Sequence, residues 1–194
     1  MKHLEKVLSE FVDLLENAKK DKKISSYALI GALAIAARGR PRATEDIGFL
    51  VSAKKRFFTE TFPLLAQSLK YSIVVTPGSA DDPIRGLVGV YDKNQEDALI
   101  DILPVFWKWQ DDIVKGAEYL KIPGTRSVPV ARTEDLVVLK LKAGGPQDVL
   151  DAKELLKVAH LRGNIDRNRL FGLAKRARVD KPLLRLLSKI NIVF

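Results

Sequence analysis

The segment that most constrains the fold begins with residues 27–30, which are apolar and predict a short buried strand that stops at Gly31. The small apolar residues 32–38 predict a tightly packed helix directly after that glycine. A loop containing glycine and proline follows, and residues 46–51 return to a strand pattern. A strand, a glycine, a short helix and a second strand are typical of a mixed α/β core.

The following part of the chain continues to mix helices and strands. Apolar residues at helical spacing predict an amphipathic first helix over residues 4–15, and a second helix is expected over about residues 54–69, perturbed at Pro63. Strand patterns recur at residues 71–76, 86–91 and 98–103. The last two strands are expected to form a hairpin. A short helix over residues 107–115 and an extended passage over residues 119–130 complete this part.

The last third of the chain predicts helices alone. Thr133 is expected to cap a helix over residues 133–143, and a second helix is expected over residues 146–160. Asp166 and Asp180 are natural N-caps for two more helices. The switch from mixed elements to helices indicates a change of organisation near residue 130.

These patterns predict the α/β (α+β) class, with a mixed sheet, flanking helices and a helical C-terminal part. We expect an α/β core over residues 1–130 and a helical subdomain over residues 131–194 packed on that core. The length of 194 residues suits one ordinary core with a small appended subdomain.

Composition excludes several kinds of site. The chain has no cysteine and 2 histidines, which removes disulfides, thiolate metal sites and a cysteine nucleophile, and argues against a histidine cluster. Any metal must therefore sit on oxygen ligands. The longest apolar run, residues 27–37, is far shorter than the roughly 20 residues of a membrane helix. We expect a soluble cytoplasmic protein with no membrane association.

Two aspartates stand out as oxygen ligands. Asp46 lies at the start of a predicted strand, and Asp101 is an isolated acid within the apolar run 99–103. A carboxylate among apolar strand residues calls for a partner. Gly31 ends a strand at the head of a helix, where backbone amides can face a phosphate. The pattern therefore favours a site for a cation and a phosphate.

Residues 29–51 resemble the signature of small prokaryotic nucleotidyltransferases of the AbiEii toxin group, within the DNA polymerase beta superfamily. That signature has a glycine pair or a glycine and a serine, a helix, an Arg-x-Thr and then Asp-x-Asp. The likeness continues in Asp101 as the third acid. Residues 127–140 and 145–151 are similar to the helix with a lysine and the Asp-x-x-Asp run that follow these domains.

The resemblance implies a nucleotidyltransferase fold and a Mg²⁺ site at Asp46 and Asp101. It also implies contacts with the nucleoside triphosphate (NTP) from Gly31, Ala32, Arg42 and Lys140. The implied reaction transfers a nucleoside monophosphate from the NTP to a macromolecular hydroxyl of tRNA or protein, with pyrophosphate leaving.

The chain departs from the family pattern at Gly48, where the second aspartate of Asp-x-Asp is expected. Loss of one carboxylate predicts weaker metal binding and weakened activity, although one or two carboxylates with substrate phosphates can still hold Mg²⁺. Gly48 has a second interpretation, as a place where another chain segment approaches closely. The alternative function is a catalytically inactive pseudo-enzyme that binds a nucleotide or a partner.

The net charge of +9 lies mostly in the C-terminal helices. Residues 1–161 carry 24 Lys and Arg against 22 Asp and Glu, whereas residues 162–194 carry 9 against 2. Basic residues alternate there with apolar ones, so one helix face is expected to pack and the other to be solvated. RNA could occupy the basic face, as could an acidic partner such as an antitoxin. A general nucleic-acid-binding module is a third possible function.

Several of these side chains also have purely structural interpretations. A solvated basic loop is the alternative for Arg38, Arg40 and Arg42. Packing is the expected role of Trp107 and Trp109. Lys140 could snorkel from a largely apolar helix, and Asp148 and Asp151 could stabilise the first turn of a helix. Asp101 could be a buried acid paired with an arginine for structure alone.

Overall fold

The structure is a computed structural model that describes residues 2–41, 44, 46–78, 86–92, 99–122 and 125–193. Within these ranges it confirms the predicted class, a mixed α/β fold with a seven-stranded mixed sheet and a helical C-terminal part. No helix in the described ranges combines the length and apolar character needed to cross a membrane.

Strands and helices alternate through the first part of the chain. The strands are β1 Ile24–Ile30, β2 Ile47–Ala53, β3 Tyr71–Pro77, β4 Gly86–Asp92, β5 Ile100–Pro104, β6 Glu118–Lys121 and β7 Ser127–Val130. The helices are α1 Lys2–Lys20, α2 Gly31–Ala37, α3 Phe62–Ser68, α4 Lys108–Lys115, α5 Thr133–Ala143, α6 Pro146–Leu161, α7 Arg167–Ala177 and α8 Asp180–Lys189.

The sheet has the strand order β3-β4-β5-β2-β1-β7-β6. The pairs β2–β5 and β1–β7 are parallel, and the other neighbouring pairs are antiparallel. β4 and β5 pair as the predicted hairpin requires, although their connection lies outside the described residues. The predicted extended passage forms the antiparallel pair β6–β7.

The predicted perturbation at Pro63 is a π-helical turn, Phe57–Thr61, directly before α3. Pro63 is the second residue of α3, directly after the π-helical turn. Phe57 and Phe58 are buried, and Phe57 contacts Phe62 with ring centroids 5.7 Å apart. This aromatic cluster fixes the π-helical turn against the sheet.

Two predicted caps are corrected. The N-cap of α5 is Arg132 rather than Thr133, and the N-cap of α8 is Val179 rather than Asp180. Asp166 caps α7 as predicted, because its carboxylate accepts the Arg169 N–H at 2.9 Å.

Arg38 does not belong to a solvated loop. Its side chain is 13% exposed, and its guanidinium donates to the Ala131 carbonyl at 2.9 Å and the Val130 carbonyl at 3.1 Å. It also pairs with Glu118 at 2.7 Å, which holds the pKa of that carboxyl below its usual range. Arg38 therefore ties the end of α2 to β6 and β7.

A buried ion pair joins the C-terminal helices. Asp135 in the first turn of α5 is 0% exposed, and both of its oxygens accept from Arg169 of α7, at 2.8 and 2.9 Å. Burial raises the pKa of Asp135, and the bonds from Arg169 oppose that shift without cancelling it. Asp135 is thus mainly a partner of Arg169.

We expect Arg169→Met to lower the free energy of unfolding by about 3 kcal/mol, because it leaves a buried carboxylate unpaired. The deficit should shrink as the pH falls between about pH 8 and about pH 5. Without the bonds from Arg169 that oppose the effect of burial, the pKa of Asp135 is higher in the folded variant than in the folded wild type, so the variant takes up this proton first. Urea unfolding at both pH values measures this. The control Arg176→Met removes an exposed 3.3 Å pair with Asp112 and should cost less than about 1 kcal/mol. Equal losses in the two variants would contradict the assignment.

Candidate functional site

The centre of the sheet places Asp101 between two glycines. In the parallel β2–β5 pair Asp101 lies opposite Gly48, and in the antiparallel β4–β5 pair it lies opposite Gly89. Side chains of directly paired strand residues point to the same face. Gly48 has no side chain and lines the cavity beside Asp101, whereas the ring of Tyr91 fills the space over Gly89.

One cavity of about 290 Å³ brings most of the predicted site residues together. Its lining includes Gly31, Asp46, Asp101 and Lys140. Ala32 is buried at the start of α2 and does not line this cavity. Arg42, the remaining predicted nucleotide contact, lies outside the described residues. The structure therefore gathers Asp46 and Asp101 beside the β1–α2 turn.

The two aspartates differ in environment. Asp46 is exposed directly before β2, and its Oδ1 accepts the Thr44 hydroxyl at 2.5 Å. Burial and the negative charge of Asp46 raise the pKa of Asp101 above its ordinary value. The carboxylates are thus close enough to repel each other. A divalent cation between them would relieve that repulsion.

The floor of the cavity depends on glycine at two positions. Gly31 has φ +71°, a conformation that side chains rarely adopt, and a Cβ there would lie 3.7 Å from the Gly48 Cα. A Cβ on Gly48 would lie 3.2 Å from Ile30 Cγ1 and 3.3 Å from the Ile30 carbonyl oxygen. The second interpretation of Gly48, close approach of another segment, therefore has a geometric basis.

The start of α2 faces this crowded turn without a side-chain cap. The helix begins at Gly31, and the side chain of its N-cap residue Ile30 makes no capping bond. The first backbone N–H groups of a helix have no acceptor within the helix. Ile30 therefore gives these N–H groups no side-chain acceptor, and the turn that carries Gly31 lines the cavity.

Lys140 does not snorkel into solvent. Its side chain is 16% exposed, and its ammonium lies 2.7 Å from Asp148 Oδ1 and 3.1 Å from Asp151 Oδ2. Asp148 also accepts the Gly145 N–H at 3.3 Å, as expected for an acid in the first turn of α6. Asp148 lines the cavity beside Lys140. The Lys140 ammonium therefore lies at the cavity wall with its charge neutralised by Asp148 and Asp151.

Sequence reasoning missed three further lining residues, Trp109, Gln110 and Lys142. Gln110 Oε1 accepts the backbone N–H groups of Phe106 at 2.8 Å and Trp107 at 3.1 Å, so it fixes the start of α4. Trp109 is buried, in agreement with its expected packing role. The spacing of these residues gives no signal of a cavity, because α4 reaches the sheet only through tertiary packing.

The carboxylate oxygens of Asp46 and Asp101 suit a hard cation such as Mg²⁺, but they would fill only part of its coordination shell. Within the described ranges no group of three or more His, Asp or Glu side chains is placed to hold a metal ion. Asp46 and Asp101 match the binding of Mg²⁺ through one or two carboxylates completed by substrate phosphates. The geometry therefore fits a metal that arrives with a phosphorylated ligand.

Comparison with known proteins supports the fold. No family model matches the chain, and no curated protein matches it. The crystal structure of ANT(2'')-Ia in complex with adenylyl-2''-tobramycin is 17% identical, with a TM-score of 0.51, over 95% of this chain and 98% of that one. The chain has the nucleotidyltransferase fold. An antigenic nucleotidyltransferase-like protein from Paracoccidioides brasiliensis is 16% identical, with a TM-score of 0.49, over 97% of this chain and 93% of that one.

The raised pKa of Asp101 predicts that Asp101→Asn stabilises the protein at neutral pH, by less than about 2 kcal/mol. The ionised carboxylate costs stability above its folded pKa, so the gain should vanish as the pH falls and the wild-type group takes a proton. Thermal unfolding between about pH 4 and about pH 8 measures this.

Asp111→Asn provides a control of opposite sign. The hydrogen bond from Lys115, together with that from Ser52, lowers the pKa of Asp111, so removing its charge should destabilise the protein at neutral pH. A loss of stability in Asp101→Asn as well would contradict the electrostatic account of the cavity.

Proposed function

We propose that the protein transfers a nucleoside monophosphate from an NTP to a hydroxyl of a macromolecule. The observation that carries this proposal is the shared cavity of Asp46 and Asp101, beside the uncapped start of α2, in a chain with the nucleotidyltransferase fold. The acceptor oxygen would bond to the α-phosphorus, the α–β phosphoanhydride bond would break, and pyrophosphate would leave.

Each residue of the cavity has a defined part in this proposal. Asp46 and Asp101 would hold Mg²⁺, and the metal would supply stabilisation of the negative charge on the attacking and leaving oxygens. Backbone donors at Gly31 bind the phosphates in this proposal, and Lys140, paired with Asp148 and Asp151, lies at the same cavity wall. Ala32 is retained as a nucleotide contact on the sequence resemblance. Thr44 orients Asp46 through its 2.5 Å bond. Arg42 is retained as a nucleotide contact on the sequence resemblance alone.

The absence of a carboxylate at Gly48 supports weakened activity. Two protein carboxylates leave more of the developing charge to the metal's remaining ligands. The residues in common with the AbiEii toxin group, from Leu29 to Val51 with Asp101 and Lys140, support a toxin-like enzyme of that type. The acceptor would then be tRNA or a protein.

The C-terminal helices support RNA as that acceptor. Basic residues on α7, on α8 and at the C-cap between them are exposed: Lys175, Arg178, Lys181, Arg185 and Lys189. Three of them, Lys181, Arg185 and Lys189, are spaced four residues apart and so follow one helix face. A stripe of cations suits a phosphate backbone. An acidic antitoxin is the other partner that this charge would attract.

We expect Asp46→Asn and Asp101→Asn each to lower nucleotide transfer at least about hundredfold, because each removes a carboxylate that holds the metal. Chelation of divalent cations should abolish transfer. The assay incubates the protein with each labelled NTP, Mg²⁺ or Mn²⁺, and bulk tRNA or cell lysate. Asp21→Asn, which removes an acid that lies outside the cavity, should retain full transfer.

The second candidate function is an inactive pseudo-enzyme, favoured by the incomplete carboxylate set among the described residues. Gly48→Asp tests it, with Gly48→Ala as the matched control, because both variants add a Cβ close to Ile30 and only one adds a ligand. Transfer that appears only in Gly48→Asp would indicate a decayed active site. No transfer by the wild type or by Gly48→Asp would contradict the enzymatic proposal.

RNA binding through α8 predicts a specific dependence on salt. Replacing Lys181, Arg185 and Lys189 together by Gln should reduce the slope of log K against log salt by about 2, at about 0.7 per phosphate contact. Fluorescence anisotropy with labelled tRNA measures this slope. Substituting three exposed lysines elsewhere, Lys20, Lys70 and Lys121, changes the net charge equally and should leave it unchanged. Equal slopes in the two triple variants would argue against a contact through α8.

A further inference from the structure

The two edges of the sheet are protected to different degrees. At one edge, β6 is 4 residues long and carries the charges of Glu118 and Lys121. At the other edge, β3 is 7 residues long and carries no charged side chain. Short length and charged side chains keep an edge strand from pairing with another chain. β3 has neither of these protections.

The outer edge of β3 has free backbone hydrogen-bonding groups. All the residues of β3 pair with β4 on its inner side. In the described part of the chain, no backbone group of β3 bonds to a turn or loop. Every second residue of an antiparallel strand directs its N–H and carbonyl away from its partner. The outer edge therefore presents a row of donors and acceptors that another strand can use.

Apolar side chains are exposed on both faces of this edge. Val74 is 51% exposed and lies in the same cross-strand row as Asp101, through Gly89 of β4. Val75 is 43% exposed on the opposite face, where it lines a cavity of about 630 Å³ together with Phe106. An exposed, uncharged strand with apolar side chains on both faces is the type of edge that pairs with a further strand.

We propose that β3 pairs with β3 of a second copy of this chain, antiparallel, across a two-fold axis at Val74. This register sets Val75 opposite Ile73 of the second copy on one face, and Thr76 opposite Ser72 of the second copy on the other. The outward groups recur at every second residue, so only a register centred on a residue aligns donors with acceptors. The strand is its own complement in this register, as a two-fold interface requires.

The charges beside β3 favour this antiparallel partner. Lys70 directly precedes the strand and lies opposite Gly78 of the second copy. The two Lys70 residues are then roughly 26 Å apart, at about 3.3 Å per residue. That separation is about three Debye lengths at physiological ionic strength, so their repulsion is screened. A parallel partner in register would instead place Lys70 beside Lys70, at a cost in stability.

The pairing makes the sheets of the two copies continuous. The row of Asp101, Gly89 and Val74 runs on into the same row of the second copy. Both carboxylate cavities therefore open on the same face of the joined sheet, five strand spacings or roughly 24 Å apart. This interface goes beyond the proposed nucleotide transfer and does not depend on it.

Sedimentation velocity between about 1 and about 200 µM tests the proposal, since a small interface of this kind predicts a reversible dimer in the micromolar range. Val74→Lys and Val74→Glu each set like charges opposite each other at the axis and should be monomeric. An equal mixture of the two variants should recover the dimer, because lysine then faces glutamate. The control Val149→Lys, at an exposed position of α6, should dimerise like the wild type.

A cysteine variant tests the register and decides the question where a charged variant fails to fold. The chain has no cysteine, so Val74→Cys introduces a single thiol. Directly opposed strand residues have Cα atoms within the range of a disulfide. We expect oxidation to cross-link Val74→Cys at least about tenfold faster than the control Val149→Cys.

Four results would overturn the proposal. The wild type could remain monomeric over the whole concentration range, or the dimer could persist in both Val74→Lys and Val74→Glu. The mixture of these two variants could fail to dimerise, or the two cysteine variants could cross-link at equal rates. A dimer without nucleotide transfer would support this interface and leave the transferase proposal to fail by itself.

Discussion

The parallel pairing of β2 with β5 determines the rest of the site. The register of this pair sets Asp101 opposite Gly48, two residues after Asp46, and β4 adds Gly89 on the other side. A shift of one residue would turn Asp101 to the opposite face of the sheet. Because β5 lies inside the sheet, the Asp101 carboxylate faces the cavity that Gly48 also lines, while the ring of Tyr91 fills the space over Gly89. The raised pKa of Asp101 is the electrostatic consequence of that position.

Metal binding and backbone packing place opposite demands on the residue at position 48. A third metal ligand would need a side chain at this position. Packing favours glycine, because the Ile30 carbonyl oxygen would lie 3.3 Å from a Cβ on residue 48. The turn at Gly31 lies against the same backbone, so the geometry of β1, α2 and β2 is coupled at this point. The tightly packed turn therefore lies beside the two carboxylates proposed to hold a metal. Ligation by two protein carboxylates would leave a larger share of the metal's coordination to the phosphates of the ligand.

The sequence predicts the helices and strands, which depend on neighbouring residues. It does not predict contacts between residues that are far apart in the chain. Apolar periodicity is local, so it predicted α1, the core strands and the switch to helices near residue 130. Asp46 and Gly31 were predicted from their positions at the ends of strands, and Asp101 from its charge within an apolar run. The three residues line one cavity. The burial of Arg38 against Val130, the pair of Asp135 with Arg169, and the cavity beside Phe106 each join residues far apart in the chain, and no local pattern encodes them.

The most direct test of the account is a crystal structure of the protein with Mn²⁺ and a non-hydrolysable NTP analogue, using the anomalous signal of the metal. We predict a Mn²⁺ peak bonded to both Asp46 and Asp101, with the triphosphate at the start of α2 and the Lys140 ammonium beside it. Nucleotide bound elsewhere, or a metal peak that touches neither aspartate, would contradict the account.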